Sequence, residues 1–177
     1  MKKLVLISCF LAFSLYGANL DIKSNSEVFN KNLVEIKNIK ESINSSSGRE
    51  GAELNKYFHW EVLPNAFSDV IKIDDSEGFK SMLKVLNELN IDINSFSEEN
   101  SIYSIAKEII DNNSINCMKV LTLSNFNFKN KVLDKNYNQI SLLDYARNNG
   151  ASKEIISLLN DLKWNLSFFS MLVYYLP

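Results

Sequence analysis

A five-residue pattern recurs behind leucine-rich stretches of this 177-residue chain: Asn90-Ile91-Asp92-Ile93-Asn94, Asn125-Phe126-Asn127-Phe128-Lys129 and, more weakly, Lys163-Trp164-Asn165-Leu166-Ser167. Each copy begins four residues after a leucine that closes an apolar helical pattern, at Leu86, Leu121 and Leu159, so the starts are 35 and then 38 residues apart. A period in this range marks an array of small supersecondary units. One such unit cannot hide its apolar side alone, so neighbouring units must complete the core.

Three copies of the unit can be laid out over residues 66–167. In the last, Ser141-Leu142-Leu143-Asp144-Tyr145-Ala146 opens a helix, Asn149-Gly150 ends it, and Lys153-Glu154-Ile155-Ile156-Ser157-Leu158-Leu159 forms a second. The middle copy reads Ser101-Ile102-Tyr103-Ser104-Ile105-Ala106, then Asn113, then Cys117-Met118-Lys119-Val120-Leu121. In the first, Phe67 to Ile71 stands for the opening helix, Gly78 for the turn and Met82-Leu83-Lys84-Val85-Leu86 for the second helix. Ser101 and Ser141 are expected to cap their helices by accepting a backbone N–H bond left unmet in the first turn. Ala106 and Ala146 are small where helices must approach, and Leu142, Leu143, Ile155, Ile156, Leu158 and Leu159 recur at helical spacing. Gly150 suits a helix end because it tolerates a left-handed backbone.

These residues resemble the ankyrin repeat, with its T-P-L-H-x-A opening, inter-helix Gly, E-[IV]-V-x-x-L-L second helix and G-A-D-[VI]-N connection. The chain departs from that pattern in several places. Ser101-Ile102 and Ser141-Leu142 replace Thr-Pro, and Asn90, Asn113 and Asn125 stand where Gly is usual. One extra residue lies between Gly150 and Glu154, and the link from Lys129 to Ser141 is longer than the family's finger. Asn is the best substitute for Gly where φ must be positive. The resemblance implies an all-α, helical-hairpin repeat solenoid of about three units behind an N-terminal helical cap. It further implies binding through the fingers and first helices. In this chain that nominates Phe96, Glu98 and Glu99 in one finger and Val132, Lys135, Tyr137 and Asn138 in the next, with Phe96, Phe126 and Phe128 alternatively packing beneath them.

The flanks read differently. Met1-Lys2-Lys3, an apolar run from Leu4 to Tyr16 and small residues at Gly17 and Ala18 have the layout of a secretory leader, residues 1–17. Alternatively, Leu6-Ile7-Ser8-Cys9 is a lipobox and Cys9 the lipidated residue. Residues 18–65 form the cap: Ser24-Asn25-Ser26-Glu27 is a possible capping box, followed by a helical face of Val28, Phe29, Leu33, Ile36, Ile39 and Ile43. Ser45-Ser46-Ser47-Gly48 is the linker candidate, and Glu53 to Leu63 is a second helix whose Tyr57, Phe58 and Trp60 are expected to seal the end of the array. Residues 168–177 are a hydrophobic tail or terminal cap, too short to span a bilayer as a helix.

Composition excludes more than it suggests. The formal charge is −2, and nothing in the sequence supplies the basic face that phosphate recognition calls for, which argues against a nucleic-acid binder. His59 is the only histidine, so a histidine-based metal cluster is ruled out; Asp74-Asp75 with Glu77, and Glu98-Glu99, read as turn or helix-start charges. Cys117 reads as a buried structural thiol. No phosphate loop, nucleophile elbow or paired CxxC is present, so neither catalysis nor a cofactor is expected. The sequence therefore points to an exported, monomeric protein–protein interaction module, an adaptor or inhibitor acting in the periplasm or outside the cell. A surface-anchored lipoprotein with a structural or host-contact role is the alternative.

Overall fold

The computed structural model describes residues 20, 22–96 and 104–162. The leader, Cys9, Glu98, Glu99, Ser101, the third copy of the five-residue pattern and the hydrophobic tail lie outside them. Among the described residues the chain is mostly helical, with one short antiparallel strand pair. It divides into two compact units, Met1–Val70 with Asp75–Asp92 and Ile71–Asp74 with Ile93–Pro177.

In the first unit, helix α1 (Glu27–Ser45) begins at Ser26, whose Oγ accepts the Phe29 N–H at 3.0 Å. The expected cap two residues earlier is displaced: Ser24 Oγ accepts from Ser26 N at 3.2 Å instead. Ser26 is favoured because its hydroxyl also donates to Asp75 Oδ2, tying this helix start to another in the unit. Phe29, Leu33, Ile36 and Ile43 turn inward at helical spacing, as the sequence pattern predicts. The linker candidate shrinks to Ser46 and Ser47, since Gly48 already opens helix α2 (Gly48–Tyr57) at φ +63°.

Helix α2 does not stop where the sequence suggests. It runs through a π-helical turn (Phe58–Val62) into helix α3 (Leu63–Lys72), so residue 66 lies inside a helix. The wider turn places Phe58, Val62 and Leu63 together in the core. Tyr57 and Trp60 are left 46% and 50% exposed, so of the three aromatics expected to seal an end only Phe58 is buried.

Helix α4 (Ser76–Glu88) is capped by Asp75, which accepts the Gly78 N–H at 2.9 Å. Helix α1 packs against α2 and α4, and Phe67 meets Phe79 edge to face at 5.6 Å. Burying each such ring contributes about 2–3 kcal/mol, so these fully buried phenylalanines dominate the unit's core.

The second unit contains a 3-10 turn (Ile93–Phe96), helix α5 (Ile105–Asp111), helix α6 (Ile115–Thr122), strands β1 (Val132–Leu133) and β2 (Gln139–Ile140), helix α7 (Leu142–Asn148) and a helical segment over 153–162. Ser104 caps α5 by accepting from Lys107 N at 3.4 Å, and Ser141 caps α7 by accepting from Asp144 N at 3.1 Å. Helix α5 packs against α6 and α7. Ala106 and Ala146 are fully buried, as close helix packing requires, and Ile109, Cys117, Met118, Leu121 and Ile155 fill the space around them.

One turn geometry recurs along the chain. Asp74, Asn113 and Gly150 have φ of +53°, +52° and +69°. The N–H following each bonds five residues back: Asp75 to Val70 O at 2.9 Å, Ser114 to Ile109 O at 3.0 Å, Ala151 to Ala146 O at 3.0 Å. This closure satisfies carbonyls that a helix end leaves open. Asn90 repeats it after α4, with Ile91 N bonded to Leu86 O at 2.8 Å.

Two expectations fail here. Asn125 is not among the left-handed residues, because the backbone there is held by Asn94 instead, as described below. Gly78 is not the turn of the first copy; Asp74 is. Gly78 lies in α4, where a Cβ would stand 2.6 Å from Asp75 Oδ2, 2.7 Å from Ser26 Oγ and 2.9 Å from Val70 Cγ1.

Candidate functional site

The segment between α6 and α7 is a finger whose base and tip are held by different chemistry. At the base, the Asn94 side chain reaches across: its Nδ2 donates to Asn125 O at 3.2 Å and its Oδ1 accepts from Asn127 N at 2.7 Å. Two copies of the recurrent five-residue pattern are thereby joined through their own asparagines. Phe126 is buried and meets Phe128 edge to face at 4.9 Å. Lys107, from α5, donates through Nζ to Leu133 O at 2.9 Å and lies 4.9 Å from the centre of the Tyr145 ring, which pins the strand pair to the helices. The Tyr145 hydroxyl donates to both Asp111 oxygens, at 2.9 and 3.1 Å; burial, then the Asp111 hydrogen bond and charge, push its phenol up to about 12.

The tip is a three-residue hairpin loop. Val132 pairs with Ile140 and Leu133 with Gln139; Tyr137 N donates to Asp134 O at 3.1 Å, and Asp134 N to Asn138 O at 3.0 Å. Asp134 organises the loop by accepting from Asn136 N and Asn138 N at 2.8 Å each and from Asn138 Nδ2 at 3.1 Å. Chiefly the Asn138 backbone and side-chain bonds hold its carboxyl below the ordinary value, with Lys135 adding to the effect. A loop of this kind needs a left-handed residue at its third position, usually Gly or Asn. Here that residue is Tyr137, at φ +62° and 83% exposed.

The structure sorts the nominated residues. Lys135, Tyr137 and Asn138 come together on the exposed loop, with Asn138 engaged by Asp134. Phe96 and Val132, each 6% exposed, are buried, which for Phe96 agrees with the alternative of packing beneath its finger. Glu98 and Glu99 lie outside the described residues. Sequence reading passed over Lys129 and Lys131, both exposed on the same finger. It also missed the organising role of Asp134, for which the polar spacing Asp134-x-Asn136-x-Asn138 was the available signal.

Elsewhere, the expected roles of single residues can be placed. Cys117 is buried. Its N–H, at 3.0 Å, and that of Asn116, at 2.9 Å, donate to Asp74 Oδ1, so the supposed turn charge caps a helix 42 residues away. His59 sits in the π-helical turn against Phe58, burial lowers its pKa, and its Nε2 has no hydrogen-bond partner among the described residues. No group of acidic, cysteine or histidine side chains among the described residues could hold a metal ion, and no described helix is long and apolar enough to cross a membrane. No protein-family model matches the chain, and neither a curated protein nor a solved structure matches it.

Proposed function

We propose that this chain is an exported helical-hairpin repeat protein of ankyrin-like plan that holds a protein partner through the 132–140 finger, as an adaptor or inhibitor. The observation that carries the reading is Tyr137: a large aromatic, nearly fully solvated, held in a backbone conformation that costs an L-residue about 1–2 kcal/mol. Strain of this size at a solvated position is a mark of functional sites, and an aromatic anchor buries much area at low entropic cost when a partner covers it. The repeat plan is supported by the common closure at Asp74, Asn113 and Gly150 and by the side chains that reach forward from the first two of those turns. Asp74 caps α6, and Asn113 Oδ1 accepts from Ser152 N at 2.7 Å. Export rests on the basic start and apolar run of residues 1–17.

The test is a photo-cross-linking amino acid at position 136 of the full chain, with the adduct identified by mass spectrometry. A single protein adduct, lost when Tyr137→Asn is added, is expected. An adduct whose yield ignores that change, or no adduct at all, refutes the reading.

A further inference from the structure

We propose that the partner of this finger presents an acidic surface, an inference that rests on the docking role proposed above and adds the chemistry of what docks. Between Asn125 and Ser141 the finger carries Lys129, Lys131 and Lys135 against a single acid, Asp134, for a net charge of +2. The whole chain is −2, so everything outside the finger sums to −4. The finger is thus net positive on an otherwise acidic chain.

The three ammonium groups are available. All three lysines are exposed, and the ion pairs among the described residues, Arg49 with Glu53 and Arg147 with Asp144, involve none of them. Asp134 is turned into its own loop, where three N–H groups of Asn136 and Asn138 occupy its oxygens. All three lysines lie within the stretch 129–135, so even a fully extended chain would keep the first and last within about 20–22 Å. A partner presenting several carboxylates would meet these exposed lysines, with Tyr137 of the same finger as the apolar contact. Complementary charge of this kind speeds encounter and selects against wrong partners more than it adds affinity.

Other polyanions fit less well. A membrane surface calls for a larger basic cluster and several apolar side chains to insert, yet within the finger Val132 and Phe126 are buried and Tyr137 is the one large hydrophobic side chain that is exposed. A nucleic acid would meet −4 over the rest of the chain, and the finger has no arginine to fork onto phosphate.

The experiment is selection of peptides from a displayed random library on the purified full chain, repeated on Tyr137→Asn and on the triple variant Lys129→Glu, Lys131→Glu, Lys135→Glu. Circular dichroism verifies that the variants are folded, and sedimentation with phosphatidylglycerol vesicles runs in parallel. The selected peptides should be enriched in aspartate and glutamate, bind the triple variant about tenfold or more weakly, and lose affinity as salt is raised. Peptides without an acidic excess that still depend on Tyr137 would overturn the inference and leave the docking role standing. Lysine-dependent sedimentation with vesicles, without acidic peptides, would also overturn it. Failure to select any peptide would remove both.

Discussion

Replacing Tyr137 with glycine and with alanine separates backbone strain from side-chain contact, because both changes remove the same ring. A left-handed backbone costs an L-residue about 1–2 kcal/mol, whereas glycine accepts it freely. Glycine loses about 0.5–1 kcal/mol of that advantage through the greater freedom of its unfolded chain. The difference leaves Tyr137→Gly more stable than Tyr137→Ala by about 0.8 kcal/mol, the reverse of their usual order in regular structure. For a unit of fewer than 100 residues this corresponds to about 3–6 °C in the melting midpoint. Paired thermal melts by circular dichroism read the difference directly. Both variants should fail in cross-linking to a partner, so the more stable protein is expected to be as inactive as the less stable one. An alanine variant as stable as the glycine variant would refute the strain assigned at φ +62°. Undiminished cross-linking in both would show that the ring is not the anchor.

Asp74→Ala should cost about 1–2 kcal/mol in urea unfolding, chiefly the lost helix cap, since Asp74 already holds the left-handed backbone as an L-residue; a loss below about 0.5 kcal/mol would mean that the contacts to Asn116 and Cys117 contribute nothing. Gly78→Ala should cost about 1–3 kcal/mol by overpacking against Asp75, Ser26 and Val70, despite alanine's higher helix propensity, and an unchanged melting point would contradict that crowding. The finger loop should loosen in acid: the folded Asp134 carboxyl titrates below its ordinary 3.8, so its contribution is complete above that value and is lost as pH falls through the lower folded one. Amide exchange at Asn136 and Asn138 should accelerate over that range in the parent and not in Asp134→Asn; parallel behaviour of the two proteins would reject the role given to the carboxylate.

Much of the helical layout was legible because it is written in local chemistry. Apolar residues at helical spacing from Phe29 to Ile43 and from Ile155 to Leu159, a serine before α7, and Asn90, Asn113 and Gly150 at left-handed ends all act within a few residues of themselves. The misreadings share a different cause. Asp74 looked like a solvated charge because its partners, Asn116 and Cys117, are more than forty residues away. Gly78 looked like a turn because the crowding that demands it comes from Ser26 and Val70, on other helices. Among the nominated binding residues, only packing could tell Phe96 and Val132, which face inward, from Tyr137, which does not.

The sequence by itself determined much of where the described residues are helical and several of the helix ends, because hydrogen bonds to capping side chains and the steric rules of the backbone reach only a turn or so. Tertiary structure alone decided which aromatic side chains face solvent, and that the finger holds Tyr137 in a strained conformation beside three exposed lysines. Burial and strain are properties of surroundings assembled from distant parts of the chain, and no short stretch of residues contains them.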